Sequence, residues 1–300
     1  MIFGNFVIFE IKFKVFMSKI SIKLNVKLFF VFVLFGQLLA AQEVTVMSYN
    51  IRYGTANDGE NSWDIRKSKV ANLINYYEAD FIGMQEVQSF QRDFLLTQMP
   101  QYNAFGKPRS EDKNAEYSPI FYNKNKVSLV LKNTFWLSKS PKIISKGWDA
   151  ALPRIATYGL FKLKNSNKFI WVINSHFDHI GKTARLESAK LIVKKIAELK
   201  KVKNCPIVFM GDLNTKPNEE PVKYLSQNLI ETRTHCLTKP YGDRDTWNSF
   251  NFKEKPNGQI DYIFTDSSAS LKIKKYRTIT DFYDFKYPSD HLPIITTVVY

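Results

Sequence analysis

Residues that could do chemistry follow the apolar segments of this sequence. The run CPIVFM leads into GDLNTKP, so Asp212 and Asn214 come directly after a segment typical of a buried strand. Side chains two apart in an extended chain share a face, so these two can meet one ligand while Leu213 packs inward. Taken by itself, the stretch is also typical of a turn, because Gly, Asp, Asn and Pro are turn formers.

The same arrangement recurs at the ends of other predicted strands. Carboxylate, amide or imidazole groups stand at or near these ends, at Asn50, Glu86, His176, Asp261, Asp290 and His291. If the ends converge, they form a pocket that is rich in carboxylates and holds two imidazoles. Hard oxygen ligands of this kind suit Mg²⁺ or Mn²⁺, which keep several waters and bind substrate phosphate.

Such a pocket favours metal-assisted attack of water on a phosphoester. Displacement at phosphorus builds negative charge that a metal ion and His, Asn or Arg donors can stabilise. The attacking water needs a base, and an aspartate serves as one only if its surroundings raise its pKa above the usual ~3.9. A carboxylate paired with a histidine would orient the imidazole and favour its charged form.

Strands and helices alternate along the chain in an order that could position these residues. Apolar and β-branched segments predict strands at 43–52, 79–87, 118–138 (two strands), 155–177 (a hairpin), 206–214, 258–264 and 292–300. Helical periodicity predicts helices from Trp63, from Ser89, over 182–201, and a short one capped by Asn218. Hairpins mixed with strand–helix–strand crossovers favour helices packed on mixed sheets in one domain.

Residues 1–41 have the composition of a secretory signal peptide. Lysines precede the apolar run LFFVFVLFG at 28–36, and small residues follow near Ala40 and Ala41. The run is shorter than the ~18–20 residues of a membrane span, although an uncleaved anchor is the alternative. Residues 1–16 are unusual for a signal, and Met17 is the expected start. We expect an exported, periplasmic or extracellular monomer with residues 42–300 as one domain and no membrane span.

The composition is that of a basic globular protein. The net charge is +15, and removal of residues 1–41, with five lysines and one glutamate, lowers it to +11. A basic exported domain attracts phosphate-bearing partners, and nucleic acid is allowed but not required. Cys205 and Cys236 could form a disulfide, or Cys205 could simply be buried. Two cysteines and four histidines give no closed zinc pattern.

The ordered motifs SYNIR, QEV, NSHFDH, GDLN, IDYIF and SDH resemble those of the endonuclease/exonuclease/phosphatase superfamily. The resemblance runs from about residue 44 to residue 300, and NTFWLS (133–138) and GWDAALPRI (147–155) resemble an exported bacterial branch. It implies a four-layer α/β sandwich, in which two mixed β-sheets pack face to face with helices outside. It also implies a phosphodiesterase or phosphatase that depends on Mg²⁺ or Mn²⁺.

The resemblance further implies roles for the residues around the metal and the water. Glu86 would be the principal metal ligand, Asn50 would support the metal or the phosphate, and Asp290 would lie near the metal. Asp212 would orient or deprotonate the attacking water. Asn214 would hold a phosphate oxygen. One metal ion or two are equally compatible with these residues.

A second set of roles concerns the phosphate. His291, oriented by Asp261, and His176 would both contact it. In the deoxyribonuclease branch a glutamate before an apolar strand pairs with the histidine at the position of His176, and Glu116 matches that glutamate. Arg154 matches a phosphate-contacting arginine of the same branch.

Several residues keep two interpretations at this stage. His179 binds substrate or stabilises its own loop, and Glu116 could be an ordinary surface carboxylate. Three tryptophans line the pocket mouth or belong to the core: Trp63, Trp148 and Trp247. Three charged residues that suggest surface pairs receive no role: Asp64, Arg66 and Asp149.

These residues predict a phosphoester hydrolase that acts by in-line attack of an activated water. The alternative from another class is a secreted binding module that has lost catalysis on the same scaffold. Within the enzyme class, a non-specific endonuclease and a sphingomyelinase-like phosphodiesterase are alternatives. Inositol phosphates, for which the loop at 107–113 could supply basic groups, and sugar or nucleotide phosphoesters remain open.

Overall fold

The computed structural model describes Met17, Lys19 and residues 42–164, 166–267 and 271–300. The folded unit that carries the predicted site spans Glu43–Tyr300. The predicted signal peptide falls on residues 1–41, which, apart from Met17 and Lys19, lie outside the described residues. No helix in the described part of the chain is long and apolar enough to cross a membrane.

Twelve strands occur in the described part of the folded unit. In chain order they are β1 (Glu43–Asn50), β2 (Phe81–Gln85), β3 (Tyr102–Phe105), β4 (Ile120–Asn123), β5 (Val127–Trp136), β6 (Ile155–Leu163), β7 (Phe169–His176), β8 (Ile207–Asp212), β9 (Ile230–Glu231), β10 (Asp261–Thr265), β11 (Lys272–Thr278) and β12 (Ile294–Val299). They form two six-stranded mixed sheets, with the orders β11-β12-β1-β2-β4-β3 and β5-β6-β7-β8-β10-β9.

Four α-helices lie between residues 42 and 300 as described: α1 (Trp63–Tyr77), α2 (Ser89–Gln98), α3 (Lys182–Val202) and α4 (Glu220–Asn228). The predicted start of α2 at Ser89 agrees with the structure, where Gln88 and Gln91 form a capping box. The predicted cap Asn218 is wrong. Glu219 is the N-cap of α4, and Pro221 follows in the first turn, where a proline is tolerated.

The packing produces four layers. One apolar cluster lies between the sheets and joins residues such as Val46 and Phe81 of the first to Val172 and Met210 of the second. Separate clusters pack α1 and α2 on the first sheet, and α3 and α4 on the second. The predicted four-layer sandwich of two mixed sheets is therefore confirmed.

Strand direction brings the predicted catalytic ends to one edge of the sandwich. β1 runs parallel to β2, and β7 runs parallel to β8, so all four strands end at that edge. β10 is antiparallel to β8, and β12 is antiparallel to β1, so these two strands begin there. The ends and beginnings that carry the polar residues therefore meet.

Three strands were not predicted from the sequence: β3, β9 and β11. Two of them are only two and four residues long, which is too short for a period to be recognised. The third, KIKKYRT, is rich in lysine and arginine and buries Ile273, Tyr276 and Thr278. Both cysteines are free in the structure, with Cys205 buried.

Candidate active site

Asp212 is at the centre of the candidate site. Its backbone register places it between His176 of β7 and Asp261 of β10. Its Oδ2 accepts a hydrogen bond from Asn50 Nδ2 at 3.0 Å. The same oxygen lies 3.5 Å from His176 Nε2 and 3.8 Å from His291 Nε2. One buried carboxylate thus contacts residues from both sheets.

The other carboxylate oxygen of Asp212 fixes the turn that follows β8. Its Oδ1 accepts a hydrogen bond from the backbone N–H of Asn214 at 2.9 Å. Asn214 has a positive φ of 47°, and its Nδ2 lies 3.0 Å from His176 Nε2. Leu213 is fully buried. The stretch is therefore a turn, as one interpretation predicted, and it also places Asp212 and Asn214 in the pocket lining.

Glu86 follows β2 with a left-handed backbone. Its φ of 60° is uncommon for a residue other than Gly, Asn or Asp and costs on the order of 1–3 kcal/mol. Hydrogen bonds hold this conformation, because Oε1 accepts from Asn50 Nδ2 at 3.0 Å and Oε2 accepts from Tyr53 N at 3.1 Å. The strained turn directs the carboxylate into the pocket instead of along the strand.

The two central histidines differ in charge. Burial, followed by the nearby guanidinium of Arg154, lowers the pKa of His176 well below its usual value, so this imidazole is neutral. Burial also opposes the charged form of His291. The carboxylates of Asp261 and Asp212 outweigh it and raise the pKa of His291 well above its usual value. The site therefore contains one neutral and one cationic imidazole.

Asp261 orients His291 in the way that the sequence predicted. Asp261 Oδ2 lies 2.9 Å from His291 Nδ1 and accepts a hydrogen bond from Thr246 Oγ1 at 2.6 Å. Both members of the pair are buried. Nε2 of His291 faces Asp212 and the pocket. His291 and Asp212 both line this pocket.

The environment of Asp212 gives it the pKa that a general base needs. Burial, and then the charge of Asp261, raise the pKa of this carboxyl to about 7, against the opposing effect of His291. A base is most effective when its pKa lies near the working pH. The condition set by the sequence, a carboxylate with a raised pKa, is therefore met.

Asp290 lies on the segment before β12, beside a cluster of cationic groups. Its Oδ2 is 3.9 Å from Arg52 Nε. Burial raises the pKa of Asp290, and so does the nearby charge of Glu86, whereas His291 and Arg52 lower it. The guanidinium of Arg52 is itself held by Asp58, with two hydrogen bonds of 3.1 Å.

Arg66, which received no role from the sequence, connects the loops of the site. It is 3% exposed, and its guanidinium donates to four backbone carbonyls. The acceptors are Asn61 O, Ile51 O, Pro288 O and Arg52 O, at 2.9, 2.5, 3.3 and 3.0 Å. The expected surface pairing is wrong for Arg66. It ties the loop after β1 to the segment that leads to Asp290.

Glu116 does not pair with His176 as the resemblance implied. Its Oε1 lies 2.7 Å from Arg109 Nη2, and both side chains are about one-seventh exposed, at 14% and 15%. The backbone N–H of Arg109 also donates to Glu116 O at 2.9 Å. His176 instead contacts Asn214 and Asp212. Glu116 nevertheless lines the same pocket as His176. Its expected location in the pocket agrees with the structure, but its partner is Arg109 and not His176.

Arg154 and His179 lie together in the pocket lining. Arg154 Nη2 is 2.9 Å from His179 Nδ1, and its Nε is 3.4 Å from Asp178 Oδ2. Arg154 is 5% exposed, and its Nη1 has no partner among the described residues. An unpaired buried guanidinium nitrogen costs free energy unless an anion binds it, which fits the predicted phosphate contact.

Asp178 is the organiser of the loop that carries His179. Its carboxylate accepts hydrogen bonds from the backbone of Ala151, Ile180 and Gly181, at 3.1, 3.0 and 2.7 Å. Burial alone would raise its pKa, but these backbone donors and Arg154 lower it to about 2. His179 is therefore positioned by a loop that Asp178 stabilises, and it lines the pocket, so its substrate contact stays a prediction.

The tryptophans and the remaining charged candidates have separate locations. Trp247 lines the pocket and is 39% exposed. Trp63 is buried against Phe94, and Trp148 is not among the pocket residues. Asp64 forms an exposed pair with Lys67, as expected. Asp149 accepts from Thr183 N and Ala184 N at the start of α3 instead.

The donor set fits a hard divalent cation. The ligand atoms of Glu86, His176 and Asp212 lie within 4.8 Å of one another, as do those of Asp212, Asp261 and His291. Asp290 belongs to neither group but interacts with Glu86. Mutual repulsion of two pocket carboxylates is relieved by a cation, and carboxylate oxygens are the ligands that Mg²⁺ and Mn²⁺ prefer. The predicted residues Glu86, Asn50 and Asp290 are therefore suited to hold such an ion.

Known proteins share both this sequence pattern and this fold. A protein from Bacteroides thetaiotaomicron, described as belonging to the endonuclease/exonuclease/phosphatase family, is 34% identical, with a TM-score of 0.82 over 87% of this chain and 97% of its own. A mannosyl-6-phosphatase from Bacteroides thetaiotaomicron is also 34% identical, with a TM-score of 0.82 over 86% of this chain and 100% of its own.

A curated relative and a family profile extend the comparison. The CCR4-NOT transcription complex subunit 6-like protein of Danio rerio is 26% identical over 312 residues, and the match covers 85% of this chain and 56% of that protein. The chain thus spans little more than half of that relative. The profile of the Endonuclease/Exonuclease/phosphatase family matches residues 47–291. The chain therefore belongs to the endonuclease/exonuclease/phosphatase family and is, as the sequence predicted, a hydrolase of phosphoric esters.

Proposed function

We propose that this protein hydrolyses phosphoesters by in-line attack of a water molecule activated with the help of Mg²⁺, for which Mn²⁺ can substitute. The observation that carries the proposal is the environment of Asp212. A buried carboxyl with a pKa of about 7 lies between a neutral and a cationic imidazole. A base and a cationic donor are thus within reach of one phosphate.

The cation would be held by Glu86 and Asp290, with Asn50 supporting it. When bound, Mg²⁺ neutralises charge on the phosphate and lowers the pKa of a bound water. Asn50 links the two functions, because its Nδ2 donates to Glu86 Oε1 and to Asp212 Oδ2. A change at Asn50 would disturb both the metal ligand and the base.

The remaining groups of the site act on the water and the phosphate. Asp212 accepts the proton of the attacking water. Cationic His291, oriented by Asp261, donates from Nε2 to a phosphate oxygen as negative charge develops. Asn214 donates to His176 Nε2 and to Phe177 O and so positions neutral His176 on the phosphate side of the site, and the unpaired Nη1 of Arg154 supplies a guanidinium donor to the phosphate.

For the substrate, we propose a phosphate monoester of a sugar. The similarity to a mannosyl-6-phosphatase, at 34% identity over 86% of this chain, supports this choice. The pocket volume of about 660 Å³ also fits a small molecule, because ligand pockets commonly measure ~300–1,000 Å³. Endonuclease and sphingomyelinase-like activities remain the alternatives that a substrate panel must exclude.

Export is part of the same proposal. Residues 1–41 have the basic, apolar and small-residue order of a signal peptide, and a scavenging phosphatase would meet its substrates outside the cytoplasm. Fractionation of the producing cells, with mass determination of the purified N-terminus, tests this proposal. A mature chain that begins at Ala41 or Gln42 would support it, and a cytoplasmic chain that retains residues 1–41 would contradict it.

A substrate panel tests the catalytic proposal. Phosphate release would be measured from mannose 6-phosphate, p-nitrophenyl phosphate and bis-p-nitrophenyl phosphate, with DNA, RNA and sphingomyelin as further arms, each with Mg²⁺ and with EDTA. We expect Mg²⁺-dependent turnover of monoesters that EDTA abolishes. Faster metal-dependent cleavage of nucleic acid or sphingomyelin would reject the substrate class, and no turnover in any arm would favour the inactive binding module.

The metal assignment has its own test. Replacing Glu86 by Gln removes the charge that binds the cation and keeps one acceptor oxygen, so one of the two hydrogen bonds from Asn50 and Tyr53 is retained. We expect the Mg²⁺ concentration for half-maximal rate to rise at least about tenfold, since loss of a charged ligand weakens a hard-cation site. An unchanged Mg²⁺ titration would contradict the role of Glu86. Glu111→Gln, an exposed change in the loop at 110–115, is the matched control.

A further inference from the structure

Arg109 and Glu116 form a charged pair in the catalytic pocket that the proposed reaction does not use. The two side chains meet at 2.7 Å between Arg109 Nη2 and Glu116 Oε1. Their backbones are joined as well, because Arg109 N donates to Glu116 O at 2.9 Å. Trp136 Nε1 donates to Arg109 O at 2.9 Å. Strand β5 therefore holds the pair in place.

In the described structure, the side chains of Glu116 and Arg109 form no hydrogen bond with the residues of the reaction centre, although the charge of Glu86 acts on Glu116. His176, the expected partner of Glu116, contacts Asn214 and Asp212 instead. Among the described residues, the side chains of Glu116 and Arg109 form hydrogen bonds only with each other. One carboxylate oxygen and several guanidinium N–H groups thus remain for a ligand in the pocket that both residues line.

The rest of the pocket is shaped for a molecule with hydroxyl edges and an apolar face. Its volume of about 660 Å³ exceeds what a phosphate group fills. Besides the reaction centre, polar groups line it at Thr55, Gln88 and Asn114, and apolar ones at Leu152, Trp247 and Ile260. A sugar ring combines hydroxyl groups at its edge with C–H groups on its face, so both kinds of lining have a partner on it.

We propose that Glu116 and Arg109 bind neighbouring hydroxyl groups of the sugar leaving group, while Trp247 packs against a C–H face of the ring. A carboxylate accepts from one hydroxyl while a guanidinium donates to the next, and such charge-assisted bonds are strong and directional. The inference rests on the proposed function, because it concerns the leaving group of the same reaction. It makes Glu116 a specificity-determining residue instead of the partner of a catalytic histidine.

The test compares two substrates that share the phosphate and differ in the leaving group. Mannose 6-phosphate offers hydroxyl groups to the pair, and p-nitrophenyl phosphate offers none. For Glu116→Gln we expect kcat/KM on mannose 6-phosphate to fall about 10- to 100-fold, the scale of one hydrogen bond to a charged group. The loss on p-nitrophenyl phosphate should be at least tenfold smaller. Asn114→Ala is a second variant, which changes no buried charge because Asn114 is exposed. Asn114 also lines the pocket, so we expect it to lower the preference for mannose 6-phosphate by a smaller factor.

Controls separate this inference from folding and from the proposed function. Glu111→Gln makes the same chemical change at an exposed position of the loop and should alter neither substrate's kcat/KM. If Glu116→Gln lowers kcat/KM equally on both substrates, Glu116 belongs to the reaction centre. If it leaves kcat/KM unchanged on both, Glu116 does not bind the sugar. Either result overturns the inference. Metal-dependent turnover of p-nitrophenyl phosphate without turnover of sugar phosphates would also overturn it but leave phosphoester hydrolysis intact.

Discussion

At the residue scale, the site works by giving similar groups different charges. His176 and His291 are both buried near Asp212, but Asp261 also bonds to His291 and favours its charged form, whereas burial and the nearby Arg154 keep His176 neutral. Asp212 and Asp178 are both buried carboxyls. Their pKa values diverge to about 7 and about 2, because Asp178 accepts several backbone N–H groups and Asp212 faces the charge of Asp261. Environment therefore decides which carboxyl can act as a base.

Replacing Asp212 by Asn removes the proposed base and keeps the shape of the side chain. We expect kcat on mannose 6-phosphate to fall on the order of 10²–10⁴-fold, the usual effect of losing acid–base catalysis. The unfolding free energy should fall by about 1–3 kcal/mol, because Asn offers one oxygen where Asp212 accepts from both Asn50 and Asn214 on separate oxygens. Steady-state kinetics and a thermal melt measure both quantities. Turnover close to wild type would contradict the role of Asp212 as the base.

Replacing Asp261 by Asn tests the charge on His291. The carboxylate of Asp261 raises the pKa of His291, and in the proposed reaction the cationic form donates to phosphate. Activity should therefore be lost as pH rises through that pKa, and the variant should lose it at lower pH than wild type. Asp266→Asn alters a buried carboxylate just beyond the far end of β10 and is the control. If wild type and variant lose activity at the same alkaline pH, this assignment is rejected.

At the element scale, parallel and antiparallel pairing bring the functional ends together, and buried polar groups fix the connecting loops. Arg66 shows how this is done without a salt bridge, because its guanidinium satisfies carbonyls from three chain segments. Positive φ at Glu86 and Asn214 then turns each side chain from its strand into the pocket. The strain is tolerated because the neighbouring hydrogen bonds determine these conformations.

Replacing Arg66 by Lys keeps the charge but cannot reach four carbonyls at once. Buried acceptors left without donors cost about 1–3 kcal/mol each, so we expect a lower unfolding free energy by at least about 2 kcal/mol. We also expect the Mg²⁺ concentration for half-maximal rate to rise, because Asp290 loses its fixed position. Arg92→Lys, on helix α2 and with a side chain 29% exposed, is the control. A variant with wild-type stability and Mg²⁺ titration would contradict the positioning role.

Gly211, immediately before Asp212, allows β7 and β8 to approach. Its φ is 156°, and a Cβ there would lie 2.0 Å from Ser175 O. The backbone atom cannot move aside as a flexible side chain could. We expect Gly211→Ala to lower the unfolding free energy by about 2 kcal/mol or more, measured by urea denaturation. An unchanged unfolding midpoint would show that the strands can separate, which this account does not allow.

The sequence predicts the parts of the site whose signals are local. Asn50, Glu86, Asp212 and Asp261 each adjoin an apolar strand, and an apolar run that ends in a polar residue can be recognised without the fold. Asp290 and His291 are recognisable in the same way before the last strand. The order of these motifs then suffices for the family and for the four-layer sandwich.

The parts that could not be predicted depend on contacts distant in sequence. Arg66 reaches Pro288 O, 222 residues away, and nothing in its helix distinguishes it from an exposed arginine. The partner of Glu116 was predicted wrongly because the backbone path from Arg109 to Glu116, and not the strand pattern, decides which group it meets. Polar side chains inside loops carry no period, so their partners are set only by tertiary packing.

At the scale of the whole molecule, two sheets meet face to face and leave their reactive ends at one edge. This edge contains carboxylates within a protein of net charge +15, and Arg52, Arg109 and Arg154 line the same pocket. Cation and phosphate can therefore bind side by side. The sugar-binding pair of Arg109 and Glu116 would extend the site from the reacting phosphate to the leaving group, which is where selectivity among family members can arise.

The central claim, a metal-dependent phosphomonoesterase that uses Asp212 as its base, is tested most directly by one measurement. Phosphate release from mannose 6-phosphate would be followed for wild type and Asp212→Asn, in Mg²⁺ and in EDTA. The account predicts turnover only for wild type in Mg²⁺, with the variant reduced at least about 10²-fold. Equal turnover in Mg²⁺ and EDTA, or equal turnover of both proteins in Mg²⁺, would contradict it.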